Sequence, residues 1–222
     1  MMLLKLTSPT QNAVLETIAK LNVDSSVHGI LLLNPLASHL QSKHLTNAII
    51  PTKDVDCHCD FNQRMLSELK ELSPLLPTVC QSVFFTLDIN CFDPTGKRVV
   101  VANDNRRIGL PLCDLLRNRH CHVSNYGIGN CQGMEEAATE ADFLITAIGQ
   151  HNKFKRIKSG AVVINFGVSR SNDGKLYGDV AEEALSQAQF YTPVFNGIGP
   201  VTTGMLAFNL LICWARRPLT LY

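Results

Sequence analysis

The stretch Arg98–Leu116, RVVVANDNRRIGLPLCDLL, predicts a strand, a turn and a helix in direct succession. This order is typical of the dinucleotide-binding turn of an α/β domain. The glycines that usually open such a turn are missing, and Asn103, Asp104 and Asn105 stand in their place. The sequence therefore indicates the layout of a cofactor site and raises the question whether the site still binds a cofactor.

The same rhythm of apolar runs continues through the second part of the chain. The runs lie at residues 98–102, 122–126, 142–149, 161–168 and 190–195. Helical or polar segments separate most of them. Near-continuous Val, Ile and Leu strands that alternate with helices are typical of a parallel sheet covered on both faces. The fold class predicted for this part is therefore α/β, with a doubly wound, Rossmann-like parallel sheet.

The first part of the chain is less regular. A helix is predicted after Ser8, with Ser8 as its cap, Pro9 at its first position and Gln11 completing a capping box. A buried strand is predicted at 27–35, and helices at 39–50 and 61–72. The last helix, 202–217, carries an apolar face made of Met205, Phe208, Leu211, Ile212 and Ala215.

Composition excludes several classes of protein. The 222 residues are 45% hydrophobic and 18% charged, which allows a sizeable core and argues against disorder. A formal net charge of +1 lacks the basic footprint of a nucleic-acid-binding protein. No apolar run approaches the roughly 20 residues that span a bilayer. The apolar stretch at the start, MMLLKLTS, is too short for a signal peptide. We therefore expect a cytoplasmic protein without nucleic-acid or membrane partners.

Eight cysteines are present, and none forms a CxxC pair. In a reducing compartment most of them would act as small apolar side chains. Cys57, His58 and Cys59 could hold a metal ion, but three adjacent ligands rarely converge on one ion. No metal site is predicted.

Eight short runs share their order and spacing with one family. They are VHGILLLNPL, KDVD, GKRVVV, IGLP, ADFLITAIG, SGAVVINFGVSR, DGKLYGDV and TPVFNGIGPVTTGML; these runs lie between residues 27 and 206, within a similarity that extends over residues 8–217. Together they resemble the methylenetetrahydrofolate dehydrogenase/cyclohydrolase family. The resemblance implies NAD- or NADP-dependent oxidation of 5,10-methylenetetrahydrofolate, followed in many members by hydrolysis of the methenyl product.

The resemblance also implies two domains with a folate cleft between them. Residues 1–75 with 202–222 would form a smaller, incomplete α/β domain on the folate side. Residues 76–201 would form the Rossmann-like domain that binds NAD or NADP. A homodimer through the Rossmann-like domain is implied as well, with a tetrahydrofolate derivative as the small-molecule ligand.

On the folate side the resemblance is incomplete. The family has a Tyr-x-x-x-Lys pair whose lysine serves the hydrolytic step. This pair lies on a helix before the one at Ser8, and we expect the pair and part of the first domain's sheet to be absent here. Leu33 stands where the resemblance places a substrate-binding glutamine. Asp56 keeps the catalytic and substrate-binding aspartate that grips the pterin ring. Asp56 could equally cap its own loop.

On the cofactor side the resemblance assigns the turn Asn103, Asp104 and Asn105, followed by Gly109 and Pro111. Asp104 replaces an arginine that attracts the 2′-phosphate of NADP. Like charges about 4 Å apart cost about 1–4 kcal/mol, so Asp104 favours NAD.

The later loops of the Rossmann-like domain agree better with the family pattern. Gly149 and Gly167 would face the cofactor, and Gly199 and Pro200 would face the substrate. The glycines of the last loop could instead only shape the turn into the last helix, a reading that we favour for Gly197.

Two functions remain open. One is an NAD-preferring methylenetetrahydrofolate dehydrogenase with weak activity and a doubtful cyclohydrolase step, because hydride transfer depends mainly on the cofactor and on positioning. The other is a non-catalytic homologue that acts as a binding or interaction subunit.

Overall fold

The computed structural model describes residues 4–7, 9–33, 36–69, 75–127, 129–171 and 174–215. The chain divides into two compact units. The first unit is Met1–Pro77 with Leu206–Tyr222, and the second is Thr78–Met205.

The second unit is built on a parallel sheet. Its strands are β1 (Arg98–Asn103), β2 (His122–Tyr126), β3 (Phe143–Ala147), β4 (Val162–Asn165) and β7 (Phe190–Tyr191), in the order β2-β1-β3-β4-β7. Each neighbouring pair is parallel. Every residue of β4 is buried, as expected for a strand covered on both faces. The predicted Rossmann-like α/β fold is confirmed.

Helices and one hairpin complete the second unit. They are α4 (Thr78–Ile89), α5 (Arg106–Asn118), α6 (Met134–Glu140), α7 (Glu182–Leu185) and the antiparallel pair β5 (Val168–Arg170) and β6 (Leu176–Gly178). A buried cluster beside the sheet joins Val100, Leu144 and Val163 to Met134 and Phe154.

Three strands of the second unit are shorter than predicted, and one of them, β3, covers only Phe143–Ala147 of the run 142–149. The run 161–168 is divided between β4 and the hairpin strand β5, which begins at Val168. The run 190–195 is a strand only at Phe190–Tyr191. Pro193 follows closely and has no N–H to donate to a neighbouring strand, so the pairing ends before it.

The first unit is mainly helical. It contains α1 (Gln11–Val23), α2 (Ser42–Ala48) and α3 (Asp60–Leu69), and it includes the second part of α8 (Ile198–Ala215). A buried cluster joins α1 and α2 through Val14, Ile18, Ile30, Leu45 and Ile49.

The start of α1 differs from the prediction. The hydroxyl of Thr10 accepts the Ala13 N–H at 3.2 Å, so Thr10 is the cap and the helix begins at Gln11. The Gln11 side chain does not complete a capping box but accepts the Gln41 N–H at 2.9 Å. Ser8, the predicted cap, lies outside the described residues.

The strand predicted at 27–35 is also wrong over the described part of that range. Only one parallel bridge is present there, between Ile30 and Asp54, and the Ile30 N–H donates to the Lys53 carbonyl at 2.7 Å. An apolar run becomes a strand only where a neighbouring strand continues the ladder. Residues 34 and 35 lie outside the described residues.

The side of α8 that faces the interior differs from the apolar side predicted for it. Asn209 is fully buried and its side-chain amide donates to the carbonyls of Val55 and Leu76, both at 2.9 Å. Phe208 and Leu211 of the predicted face are instead 54% and 62% exposed. A buried amide with two acceptors therefore determines which side of the helix faces the interior.

Length and composition make α8 compatible with a membrane crossing. Over its 18 residues the mean hydropathy is 1.5, and within the described ranges it is the one helix that meets this criterion. The criterion is weak for a single helix, since core helices of folded proteins also meet it.

The fold generates a prediction about thiol reactivity. All eight cysteines are free, and only Cys91 and Cys131 are exposed. Burial raises the pKa of Cys59 and that of Cys113 to about 12, so both remain protonated thiols near neutral pH.

We expect two thiols per chain to react rapidly with a thiol-specific chromogenic reagent in the native protein, and eight after unfolding in denaturant. C91S together with C131S is the matched control and should abolish the rapid phase. A rapid phase that persists in this double variant would contradict the arrangement of the core.

Candidate functional site

The turn after β1 is closed by its two asparagines. Asn103 Oδ1 accepts the Asn105 N–H at 2.7 Å, and Asn105 Oδ1 accepts the Arg107 N–H at 3.0 Å as the N-cap of α5. Both contacts are side chain-to-backbone turns that asparagine forms readily. The turn residues Asn103, Asp104 and Asn105 are all described, and none has a positive φ. The turn therefore does not use the left-handed conformation that favours glycine.

Asp104 lies at the tip of this turn and is exposed. Its Oδ1 is 3.1 Å from the point that a Cβ on Gly127 would occupy. Gly127 directly follows β2, so the carboxylate is placed beside the end of a second strand. In doubly wound domains an acid near this end accepts from ribose hydroxyl groups.

Gly109 and Pro111 lie in the first two turns of α5. Gly109 is buried, and a Cβ there would lie 3.4 Å from Asn103 Cβ, so the helix packs closely on the turn. Pro111 lies inside the helix, where it removes one backbone N–H. The Ile108 and Gly109 N–H groups donate to the Asn105 carbonyl at 2.9 and 2.8 Å, and the positive end of the α5 dipole lies at this turn, where it favours an anion.

The loop after β3 contains the predicted Gly149. Its φ of +74° suits glycine, and both Gly149 and Gln150 are exposed. The N–H groups of Ile148 and Gln150 donate to the carboxylate of Asp179, each at 2.8 Å.

Sequence reasoning missed the importance of Asp179, which is fully buried at the end of the hairpin strand β6. The only signal in the sequence was its position directly after Gly178. Gly167 was predicted to face the cofactor. A Cβ on Gly167 would overlap Asp179 Oδ2 at 1.9 Å, so glycine at this position has a steric cause.

In the loop before α8 the glycines differ in their surroundings. A Cβ on Gly197 would overlap the Pro193 carbonyl oxygen at 2.0 Å, which agrees with the structural reading of this residue. A Cβ on Gly199 would have nothing within 4 Å, and Gly199 and Pro200 are exposed in the first turn of α8. Packing does not explain Gly199, so its substrate-facing role stays a prediction.

In the first unit, Asp56 is paired with a residue that sequence reasoning weighed only as a metal ligand. Asp56 Oδ2 lies 3.3 Å from His58 Nδ1, and the two side chains are 23% and 14% exposed. Leu33, at the position of the expected glutamine, is 59% exposed. The alkyl side chain of Leu33 offers no hydrogen bond to a polar ligand.

The loop that carries Asp56 is held by its two preceding polar residues. The ammonium of Lys53 donates to the carbonyls of Leu21, Asn22 and Asp24 at 2.7–2.8 Å, which satisfies the end of α1. Asp54 caps the following turn, since its Oδ2 accepts the Cys59 N–H at 2.8 Å. Asp54 therefore caps this loop, and the loop-capping alternative for Asp56 stays a prediction beside its role as a pterin ligand.

The Cys-His-Cys run does not converge on one point. Cys57 Sγ contacts the Leu75 carbonyl oxygen, Cys59 Sγ accepts the Asn62 N–H, and His58 pairs with Asp56. Over the described part of the chain no group of three metal-ligating side chains is found.

Two family models match the chain. The model for the NAD(P)-binding domain of tetrahydrofolate dehydrogenase/cyclohydrolase covers residues 77–217, and the model for the catalytic domain covers residues 2–56. The chain belongs to the tetrahydrofolate dehydrogenase/cyclohydrolase family.

Curated relatives and solved structures agree with this assignment. The bifunctional protein FolD of Enterococcus faecalis is 37% identical over 90% of this chain and 71% of its own length, and that of Bacillus subtilis is 37% identical over 91% and 71%. The FolD structure from Campylobacter jejuni has a TM-score of 0.87 at 32% identity, covering 95% of this chain and 75% of its own. A Trypanosoma brucei enzyme, solved with NADP and an inhibitor, has a TM-score of 0.86 at 30% identity, covering 94% and 74%.

Family membership supplies the coarse function of the site. A nicotinamide cofactor belongs to the second unit and a folate to the family's chemistry. The homodimer and the cytoplasmic location stay predictions.

A stability prediction follows from Cys57, which has a φ of 56° and is fully buried. Glycine adopts this left-handed conformation without strain, whereas alanine does not. We therefore expect C57G to exceed C57A in free energy of unfolding by about 1 kcal/mol.

Cys213 is the matched control, because it is also buried but lies within α8. There the order should reverse, with C213A above C213G by about 1 kcal/mol. Denaturant unfolding of the four variants measures both differences. The same order at both positions would contradict the left-handed conformation of Cys57.

Proposed function

We propose that this chain is an NAD-preferring oxidoreductase that converts 5,10-methylenetetrahydrofolate to its methenyl form. The observation that carries the proposal is the intact strand, turn and helix of Arg98–Asn118 within a matched NAD(P)-binding domain. The Asn105 cap leaves the N-terminus of α5 well formed, and Gly109 allows the helix to pack closely on the turn. These residues fit the pyrophosphate of a dinucleotide.

The cofactor supplies the chemistry of the oxidation, since its nicotinamide ring accepts a hydride. The protein contributes binding and orientation. On the cofactor side the exposed end of α5 attracts the pyrophosphate, and on the folate side Asp56 orients the pterin. The similar Campylobacter jejuni structure is described as a methylenetetrahydrofolate dehydrogenase/cyclohydrolase, which supports this reaction.

The preference for NAD rests on the position of Asp104. Its carboxylate lies beside Gly127 at the end of β2, where the adenosine ribose of a dinucleotide is expected. A carboxylate can accept hydrogen bonds from the two ribose hydroxyl groups of NAD. The 2′-phosphate of NADP would instead bring like charges together at a cost of about 1–4 kcal/mol.

The folate contact rests on Asp56. A carboxylate can accept two N–H groups from the aminopyrimidine edge of a pterin, which orients the ring. Lys53 and Asp54 hold the backbone on its N-terminal side through buried contacts. His58 lies beside the carboxylate and restricts its rotation.

The hydrolytic step has less support. Leu33 replaces the amide side chain that the family pattern expects to orient the folate or the group that moves the proton. Hydrolysis needs a positioned general acid or base to move a proton from water. We therefore propose that oxidation is retained at a low rate and that the cyclohydrolase step is absent or much weaker.

Turnover with each cofactor tests the proposal directly. Purified protein should reduce NAD in the presence of 5,10-methylenetetrahydrofolate, measured by absorbance of the reduced nicotinamide, and should be slower with NADP. Methenyl product should accumulate, because its hydrolysis is weak. If neither cofactor supports turnover or raises the unfolding temperature, the proposal fails and the non-catalytic alternative is favoured.

Replacing Asp104 tests the cofactor preference. We expect D104S to improve the kcat/KM with NADP relative to NAD by about tenfold, because the repelling charge is removed. D114N is the matched control: Asp114 lies on α5, exposed and paired with Arg117. An unchanged ratio of the two cofactors in D104S would contradict the position assigned to the ribose.

Replacing Asp56 tests the folate contact. We expect D56N to lower kcat/KM for the folate by about 10–100-fold through the loss of charge-assisted hydrogen bonds, while the Kd for NAD stays unchanged. D60N is the control, since Asp60 is exposed and pairs with Lys43. Equal activity of D56N and the unsubstituted protein would exclude Asp56 as the pterin ligand.

A further inference from the structure

We propose that Asp179 is a positioning residue for the dinucleotide, acting through the backbone of the loop Ile148–Gln150. The inference rests on the proposed function, since it concerns the affinity of the same cofactor site. Asp179 does not itself contact the cofactor in this proposal. Its carboxylate holds the loop in the conformation that accepts the ligand.

Three donors converge on this buried carboxylate. The Thr146 hydroxyl donates to Oδ2 at 2.7 Å, the Ile148 N–H donates to Oδ2 at 2.8 Å, and the Gln150 N–H donates to Oδ1 at 2.8 Å. Asp179 and Thr146 are both 0% exposed. A buried carboxylate is costly unless hydrogen-bonded, and hydrogen bonds to a charged acceptor are stronger than neutral ones. The loop is therefore tied at both of its ends to one fixed group.

The backbone of Asp179 is fixed in turn by Asn165 at the end of β4. The Asp179 N–H donates to Asn165 Oδ1 at 3.1 Å, and Asn165 Nδ2 donates to the Gly167 carbonyl at 3.0 Å. The Asn165 N–H donates to the Thr192 hydroxyl at 2.8 Å, just after β7. One buried polar network thus joins the segments that follow β3, β4, β6 and β7.

Two glycines are shaped around this network. A Cβ on Gly167 would overlap Asp179 Oδ2 at 1.9 Å, and a Cβ on Gly178 would lie 2.8 Å from Asn165 Nδ2. Both contacts are closer than a real Cβ tolerates. The backbone therefore approaches the carboxylate and the amide at distances that only glycine allows.

The loop lies where a dinucleotide is expected. In doubly wound domains the ligand occupies the crevice beyond the carboxyl ends of the parallel strands. The loop follows β3, which pairs with β1 on one side and β4 on the other. Its amides at 148 and 150 face Asp179, while Gly149 and Gln150 are exposed. The carboxylate inside thus sets the shape of the surface outside.

D179N is the direct test. An amide replaces one acceptor oxygen by a donor, so at least one of the three donors loses its partner. We expect the Kd for NAD, measured by calorimetry, to rise about tenfold, with kcat at saturating NAD within about twofold of the unsubstituted protein. Amide hydrogen exchange at residues 148–150 should accelerate in the same variant.

T146V provides a milder second variant, because it removes the hydroxyl donor and leaves both backbone amides in place. Its Kd for NAD should rise about two- to fivefold. D54N is the matched control: Asp54 is also buried and accepts the Cys59 N–H and the Asn62 amide, but it belongs to the first unit. D54N should lose stability without a change in the Kd for NAD.

The outcomes separate this inference from the proposed function. If the unsubstituted protein binds neither NAD nor NADP, the proposed function fails and the inference fails with it. If it binds NAD and both D179N and T146V bind with the same Kd, only the inference is overturned and Asp179 has a purely structural role. If D179N does not fold, the Kd and the exchange rates of T146V decide.

Discussion

Burial of the parallel strands on both faces forces the polar groups of the second unit to the ends of its sheet. The residues of β4 are all buried, and β1 and β3 each have four consecutive buried residues. A parallel sheet covered by helices leaves no wet face on which polar side chains can lie. Hydrogen-bonding groups are therefore concentrated where the strands end, and there they must satisfy one another. Asn103, Thr146 and Asn165 each lie at or near a strand end and each bonds to a loop.

The sheet itself could be predicted because apolar runs carry their own signal. The strand 122–126 was located to the residue, and the runs at 98 and 142 were located within one or two residues. The run at 27–35 has similar composition, but its described residues, 27–33, form a single bridge. Composition cannot distinguish the two cases, because a strand depends on a neighbour that the local sequence does not contain.

The candidate site could be predicted only in part, because sequence patterns identify residue types but not the contacts between distant segments. Asp56 could be named because it agrees with the family pattern, and the turn at 103–105 could be named because it departs from that pattern. Asp179 could not, since its partners are two backbone amides and one hydroxyl distant in sequence. Asn209 was missed as well. The sequence of an apolar helix does not reveal that the Asn209 side-chain amide donates to two backbone carbonyls elsewhere in the chain. Hydrophobic periodicity identifies what leaves water and does not show which polar groups leave with it.

The contact between Gly167 and Asp179 has a consequence for how this sequence can change. With Asp179 present, any side chain at 167 would have to occupy space already filled by the carboxylate. The two positions therefore do not vary independently. In a library randomised at both, a residue larger than glycine at 167 should survive only with a smaller residue than aspartate at 179. The two positions, twelve residues apart and joined by a hairpin, are thus expected to change together.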